Sequence, residues 1–127
     1  QAAILRIKLR DLDEKNERRR SIASCYINNI KNNRIILPTV SDKKHVFHIF
    51  AVRTGNRGKL QRHLQSVGIQ TAIHYPIPPH KQIAYHELNK LDLPITEQIH
   101  NEILSIPAHV ALTSNEMITI TEAINVF

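Results

Sequence analysis

Between Gly68 and Tyr85 the chain gathers side chains suited to ligand binding: His74, Tyr75, His80, Lys81, Gln82 and Tyr85. Imidazole, phenol and amide groups donate and accept hydrogen bonds, and imidazole titrates near neutral pH. Ile69, Thr71, Ile73 and Tyr75 alternate with Gln70, Ala72 and His74, the period of a strand with two different faces. Pro76, Pro78 and Pro79 follow at once. Proline fixes φ and removes an N–H donor, so ladder pairing is expected to stop near Tyr75 and a stiff, extended loop to begin. Rigid irregular backbone at a strand end is where binding groups are commonly carried.

Other chemistries find less support. The eight histidines include no i,i+4 pair of the helical zinc type at His45/His48 or His74/His80, and Cys25 has no second cysteine to join it. His63, His86, His100 and His109 fall in different elements, so no metal site is expected. Ser105 has no base beside it in the chain and no Gly-x-Ser-x-Gly elbow is present. With three glycines in all, a Gly-rich phosphate cradle is not indicated. Cys25 reads as a small hydrophobe on a helix in a reducing compartment.

The elements that must position the loop come next. Gln1 to Leu9 is an apolar helix interrupted only by Arg6 and Lys8, expected to be buried against something large. With Gln rather than Met in front and no capping residue ahead, it reads as a helix entered midway. Asp11 and Glu14 have capping-box spacing, and Ile22, Ala23, Tyr26, Ile27 and Ile30 form a helical stripe closed by Asn28, Asn29, Asn32 and Asn33. Arg18, Arg19 and Arg20 fan around roughly 300° of that helix at about 100° per residue, which suits a solvated face with i,i+4 pairs such as Glu14 to Arg18.

Arg34 to Leu37 is a short β-branched run, Ser41 to Lys44 a polar turn, and Val46 to Arg53 a strand apolar on both faces and therefore central. His48 within it is either a satisfied buried histidine or a group facing the site. Asn56 caps a helix carrying Leu60, Leu64 and Val67, which Gly68 closes in left-handed conformation. Strand, helix, strand within about 30 residues predicts a βαβ-like unit with parallel neighbours. His86 to Leu93 is irregular or a short helical turn. Pro94 opens a helix to about Leu104 with Ile95, Ile99 and Ile103 on one face, ended by Pro107, and Thr113 or Ser114 caps a last helix. The expectation is an α+β fold, α/β-like in part, with a small sheet of about three strands covered by helices. Residues 1–33 would be leading helices and 34–127 the sheet-and-helix core of a single domain.

With 127 residues and 42% hydrophobic content the chain can bury one core. It has no apolar run of about 18 residues and does not begin with a charged n-region and apolar h-region, so a soluble protein without membrane attachment is expected. The net charge of +6 admits a second function class, a small basic interaction or nucleic-acid-binding module without catalysis. Nucleic acid is disfavoured by the fanned arginines and by the lack of aromatics interleaved with basic residues.

His74-Tyr-Pro-x-Pro-x-His80-x-Gln82 resembles the signature loop of the DegT/DnrJ/StrS-type sugar-nucleotide aminotransferases, pyridoxal-phosphate enzymes of fold type I. Gln1 to Leu9, Leu12 to Arg20, Phe47 to Phe50 and Leu104 to His109 resemble that family's C-terminal third in the same order. The resemblance implies the C-terminal small domain of an enzyme passing an amino group from an amino acid, usually glutamate, to a nucleotide-linked keto sugar for polysaccharide, lipopolysaccharide or related sugar biosynthesis. It implies a cytoplasmic homodimer with its site at the subunit interface. The Schiff-base lysine and most contacts to pyridoxal phosphate would precede Gln1, leaving this segment without a catalytic residue and inactive alone. His74, Tyr75, His80, Gln82 and, through the strand match, His48 would bind the substrate. Pro79 stands where the family more often has Leu.

Overall fold

In the computed structural model, residues 1–39, 42 and 44–127 are described. Helix α1 (Ala2–Lys8) passes through a 3-10 turn into α2 (Leu12–Asn29). Strand β1 (Phe50–Arg53), helix α3 (Arg57–Ser66), the proline loop with two 3-10 turns, α4 (Pro94–Glu102), β2 (Ile103–Ile106) and α5 (Ser114–Asn125) follow.

β1 and β2 pair antiparallel with Phe50 opposite Ile106 and Val52 opposite Leu104. An antiparallel bridge joins Ile36 to Arg53 outside β1, and another joins Ala72 to Ser105 outside β2. The α+β class is as expected, but the parallel pairing is not. The β1 and Ala72 segments do run in one direction; β2 lies between them and splits the unit.

The helix opened by Pro94 was expected to run to about Leu104, into the first half of β2. A short run such as Ile103-Leu-Ser-Ile is compatible with either period, and Pro107 ends a strand as readily as a helix. Here α4 stops at Glu102, and the next residues alternate, Leu104 and Ile106 into the core and Ser105 to the other face. The strand expected over Ile69 to Tyr75 shrinks to the single Ala72 bridge because β2 offers so short an edge.

The strand expected from Val46 begins only at Phe50. Phe47 takes a left-handed backbone, φ 47°, which resets the alternation: Phe47, Phe50 and Val52 are buried, while His48 and Ile49 face outwards. One face of this strand is covered, not both. Of the polar turn expected over 41–44, Ser41 and Lys43 lie outside the described residues, as does Val40; Asp42 accepts from the amide of Lys44 at 2.8 Å.

The core gathers Ile22, Ala23 and Tyr26 of α2, Leu60 and Leu64 of α3, Met117, Ile120 and Ile124 of α5, and the inner face of the sheet. Each helix delivers its buried residues at spacings of three and four. α3 closes as a Schellman motif: Gly68, φ 79°, donates to Gln65 at 3.0 Å and buried Ile69 donates to Leu64 at 2.9 Å. Thr113 and Glu116 form a full capping box on α5.

Two expectations at the front of the chain are corrected. Asp11 does not close a capping box with Glu14 but pairs with Lys15 at 3.3 Å, because the helix continues through this point instead of starting there. Arg18 does not pair with Glu14; its guanidinium reaches the carbonyl of Leu112. Among the described residues nothing buries α1, and Ile4, Leu5 and Ile7 stand exposed. No helix among the described residues is long and apolar enough to cross a membrane.

Candidate functional site

The sheet face turned away from the core carries small side chains, Ala72 and Ser105, directly opposite one another. They floor a cleft of about 500 Å³ whose walls include His48, His74, His109, Arg19 and Gln70. Three elements converge: the turn before β1 brings His48, the segment leaving Ala72 brings His74, and the loop after β2 brings His109.

His74 Nδ1 lies 2.8 Å from Oγ of buried Ser105. Ser105, without a base in the linear sequence, thus has one across the sheet. With Nδ1 engaged, Nε2 is the nitrogen His74 has left for a ligand. Three imidazoles and a guanidinium around one cleft, over a floor too small to fill it, form a pocket for an anionic or polyhydroxyl group.

Beyond His74 the proline loop is lashed to α4. Tyr75, next in the chain to His74, takes a left-handed backbone, φ 56°, and is 74% exposed. Its carbonyl accepts a hydrogen bond from Nδ1 of His100. Further on, a 3-10 turn over Pro79–Lys81 turns His80 inwards, where its ring is 3% exposed and Nε2 sits 2.9 Å from Oε1 of Glu97. That hydrogen bond, followed by the charge of Lys81, holds the Glu97 carboxyl below the usual carboxylate range. Gln82 donates to the carbonyl of Ile77 at 3.2 Å and Lys81 to that of Asn89 at 3.0 Å.

The expected site residues therefore divide. His48 and His74 line the cleft; Tyr75 is exposed and is not among its walls. His80 and Gln82 were expected to reach a ligand from the loop; instead a buried ring and an amide folded back on its own backbone hold the loop together. His48 is exposed and lines the cleft, so it is not the buried histidine of the first reading. Sequence reasoning passed over Arg19, Ser105 and His109 at the cleft and Glu97 and His100 beneath the loop. For Glu97 and His100 a signal existed: three apart on one helix, they put two hydrogen-bonding groups on one face. Among the described residues no three His, Cys, Asp or Glu stand together as metal ligands.

Residues 1–125 match the DegT/DnrJ/EryC1/StrS aminotransferase family. The chain is 52% identical over 126 residues to dTDP-3-amino-3,6-dideoxy-alpha-D-galactopyranose transaminase of Aneurinibacillus thermoaerophilus, covering 98% of this chain and 35% of that protein. It resembles the crystal structure of Streptomyces venezuelae DesV in complex with a ketimine intermediate, with TM-score 0.91 and 34% identity over 98% of this chain and 35% of that one. A DegT/DnrJ/EryC1/StrS aminotransferase from Brucella abortus gives TM-score 0.91 at 31% identity, covering all of this chain and 35% of its own length. The chain thus spans about a third of the proteins it matches. With the signature loop, the cleft beside it and residues 1–125 all in agreement, the chain belongs to the DegT/DnrJ/EryC1/StrS aminotransferase family.

Proposed function

We propose that this chain is the C-terminal part of an enzyme that transfers an amino group from an amino acid, glutamate first among candidates, to a keto sugar carried on a nucleoside diphosphate. The observation that carries the reading is the cleft in which His48, His74, His109 and Arg19 converge, with the exposed Tyr75 following His74 in the chain. Imidazole and guanidinium donors suit a diphosphate and sugar hydroxyls, and a phenol adds a stacking surface for ring or base. The relative in Aneurinibacillus thermoaerophilus favours thymidine diphosphate as carrier and the sugar's third carbon as acceptor.

Pyridoxal phosphate is the coenzyme of this reading and supplies the electron sink for amino transfer when bound. The cleft has no lysine among its walls, so the residues here do not fit the role of anchoring it. This segment's part is to bind and orient the nucleotide sugar; the anchoring lysine belongs to the portion of the relatives that the chain does not span. The bare apolar face of α1 packs against that portion. The whole works as a homodimer in the cytoplasm, in the synthesis of polysaccharide or related sugars.

The test uses the intact protein with pyridoxal phosphate, glutamate and a thymidine diphosphate 3-keto sugar, following 2-oxoglutarate release. Replacing His74 or His48 by Ala removes one hydrogen bond to a charged group, so the apparent KM for the sugar nucleotide should rise roughly tenfold or more. No coenzyme absorbance and no 2-oxoglutarate from the wild type would refute the reaction. Normal kcat and KM in both variants would refute the site.

A further inference from the structure

Tyr75 is held in a backbone conformation that two local preferences oppose. A non-glycine residue at φ 56° crowds its Cβ against backbone, and a residue followed by proline is steered towards extended geometry. Such a residue persists only where its surroundings over-determine it. The surroundings can be named. On one side the His74 ring is tied to Ser105 of β2; on the other the Tyr75 carbonyl is tied to the His100 ring of α4. His100 is fixed in turn, since its own carbonyl accepts from the guanidinium of Arg57 at the start of α3. The chain Arg57, His100, Tyr75 thus runs from one helix, across another, into the loop.

A carbonyl oxygen only accepts, so His100 must donate through an Nδ1–H. The bond binds backbone and not the phenol, which leaves the Tyr75 side chain free to meet a ligand while its direction is set from below. His100 is not among the residues that line the cleft.

We infer that His100 is a positioning residue: by holding the Tyr75 carbonyl it fixes the left-handed turn that aims the phenol at the ligand, and so sets affinity for the nucleotide end of the substrate without contacting it. This rests on the reading above that Tyr75 meets the nucleotide sugar.

Two substitutions isolate the bond. His100→Phe keeps a ring of similar size and loses the donor, whereas His100→Asn places an amide N–H where Nδ1 stood. Hydrogen exchange of the intact protein, read on the peptide from Ile73 to Gln82, reports the loop without any ligand. Calorimetric titration with thymidine diphosphate and uridine diphosphate reports affinity. His100→Phe should speed exchange in that peptide and weaken the better nucleotide about five- to tenfold, the worth of one net hydrogen bond. His100→Asn should restore both. In a Tyr75→Gly background, where the left-handed turn is free of strain and the phenol is gone, His100→Phe should change affinity no further.

Unchanged exchange in His100→Phe overturns the inference. So does faster exchange with unchanged affinity, or failure of His100→Asn to restore either. If Tyr75→Gly alone leaves nucleotide affinity intact, the Tyr75 site itself falls and the positioning role falls with it, a result told apart from the others by that single variant.

Discussion

Replacing Tyr26 by Phe should destabilise the protein at neutral pH and stop doing so in alkali. Tyr26 is fully buried, its ring meets Phe50 edge-on at 5.2 Å, and its hydroxyl donates to the carbonyl of Pro107 at 2.8 Å. Phe keeps the ring contact and strands that carbonyl, a loss of about 1.5 kcal/mol, or about 5 °C in Tm. The hydroxyl also titrates. Burial, with smaller contributions from Cys25 and Glu116, pushes its pKa far above the ordinary 10.0. A group whose pKa is raised on folding contributes stability fully present below its unfolded value and lost as pH rises towards the folded one. Above the unfolded value of 10.0 the unfolded chain ionises Tyr26 and the folded one does not, so wild type loses about 1.4 kcal/mol per pH unit from this group. The Phe variant has no such loss. The two should therefore converge near one unit above the ordinary value, about pH 11, and cross beyond it. Urea unfolding followed by circular dichroism on both proteins from pH 7 upwards measures the difference, in which other titrations cancel. A gap that stays constant across that range would show that the hydroxyl is not desolvated, and no gap at pH 7 would show that the bond to Pro107 contributes nothing.

Thr113→Ala removes the side-chain acceptor for the Glu116 amide and should cost about 1 kcal/mol in urea unfolding, with Thr113→Ser recovering most of it. The Thr113 amide and then its hydroxyl hold the Glu116 carboxyl below the usual range, so this contribution is present above the unfolded carboxylate pKa; the deficit of Thr113→Ala should shrink as pH falls through the folded one. Gly68→Ala meets no atom within 4 Å of its new Cβ, so its loss of about 1 kcal/mol would come from φ 79° alone. Gly55→Ala, in equally open space without a positive φ, should be neutral or slightly stabilising; equal losses at both glycines in thermal unfolding would remove backbone strain as the cause.

What the sequence disclosed of the fold tracks how local each determinant is. The buried stripes of α2 and α3, the left-handed Gly68 and the cap at Thr113 or Ser114 all rest on spacings within a single turn or helix, and each was legible. β2 was not, since four residues with three aliphatics carry too little period to separate strand from helix. The parallel pairing inferred from strand, helix, strand failed for the same cause, because the strand that separates the two was invisible. Phe47 defeated the alternation argument in another way: one left-handed residue before β1 inverted which side chains face inwards, and a phenylalanine gives no warning of φ 47°.

The candidate site was legible as a place more than as a set of contacts. Residue type and prolines marked the loop, and His74 and His48 do line one cleft while Tyr75 is exposed. The same pattern gave His80 and Gln82 equal weight, yet they face the other way, because a loop stiff enough to present groups on one side must be fastened on its other side. The fastening is what local sequence hides. Glu97, His100 and Ser105 look like a solvated helix face and a serine at its end until the loop is laid across them, and then each engages one polar group of it: the His80 ring, the Tyr75 carbonyl and the His74 ring. Proline limits where the loop can go, but it removes the backbone donors by which a sheet would hold it. Side chains of α4 and β2 supply the missing bonds, so the rigidity of the loop is contributed as much by residues 17 to 31 positions later in the chain as by the prolines within it.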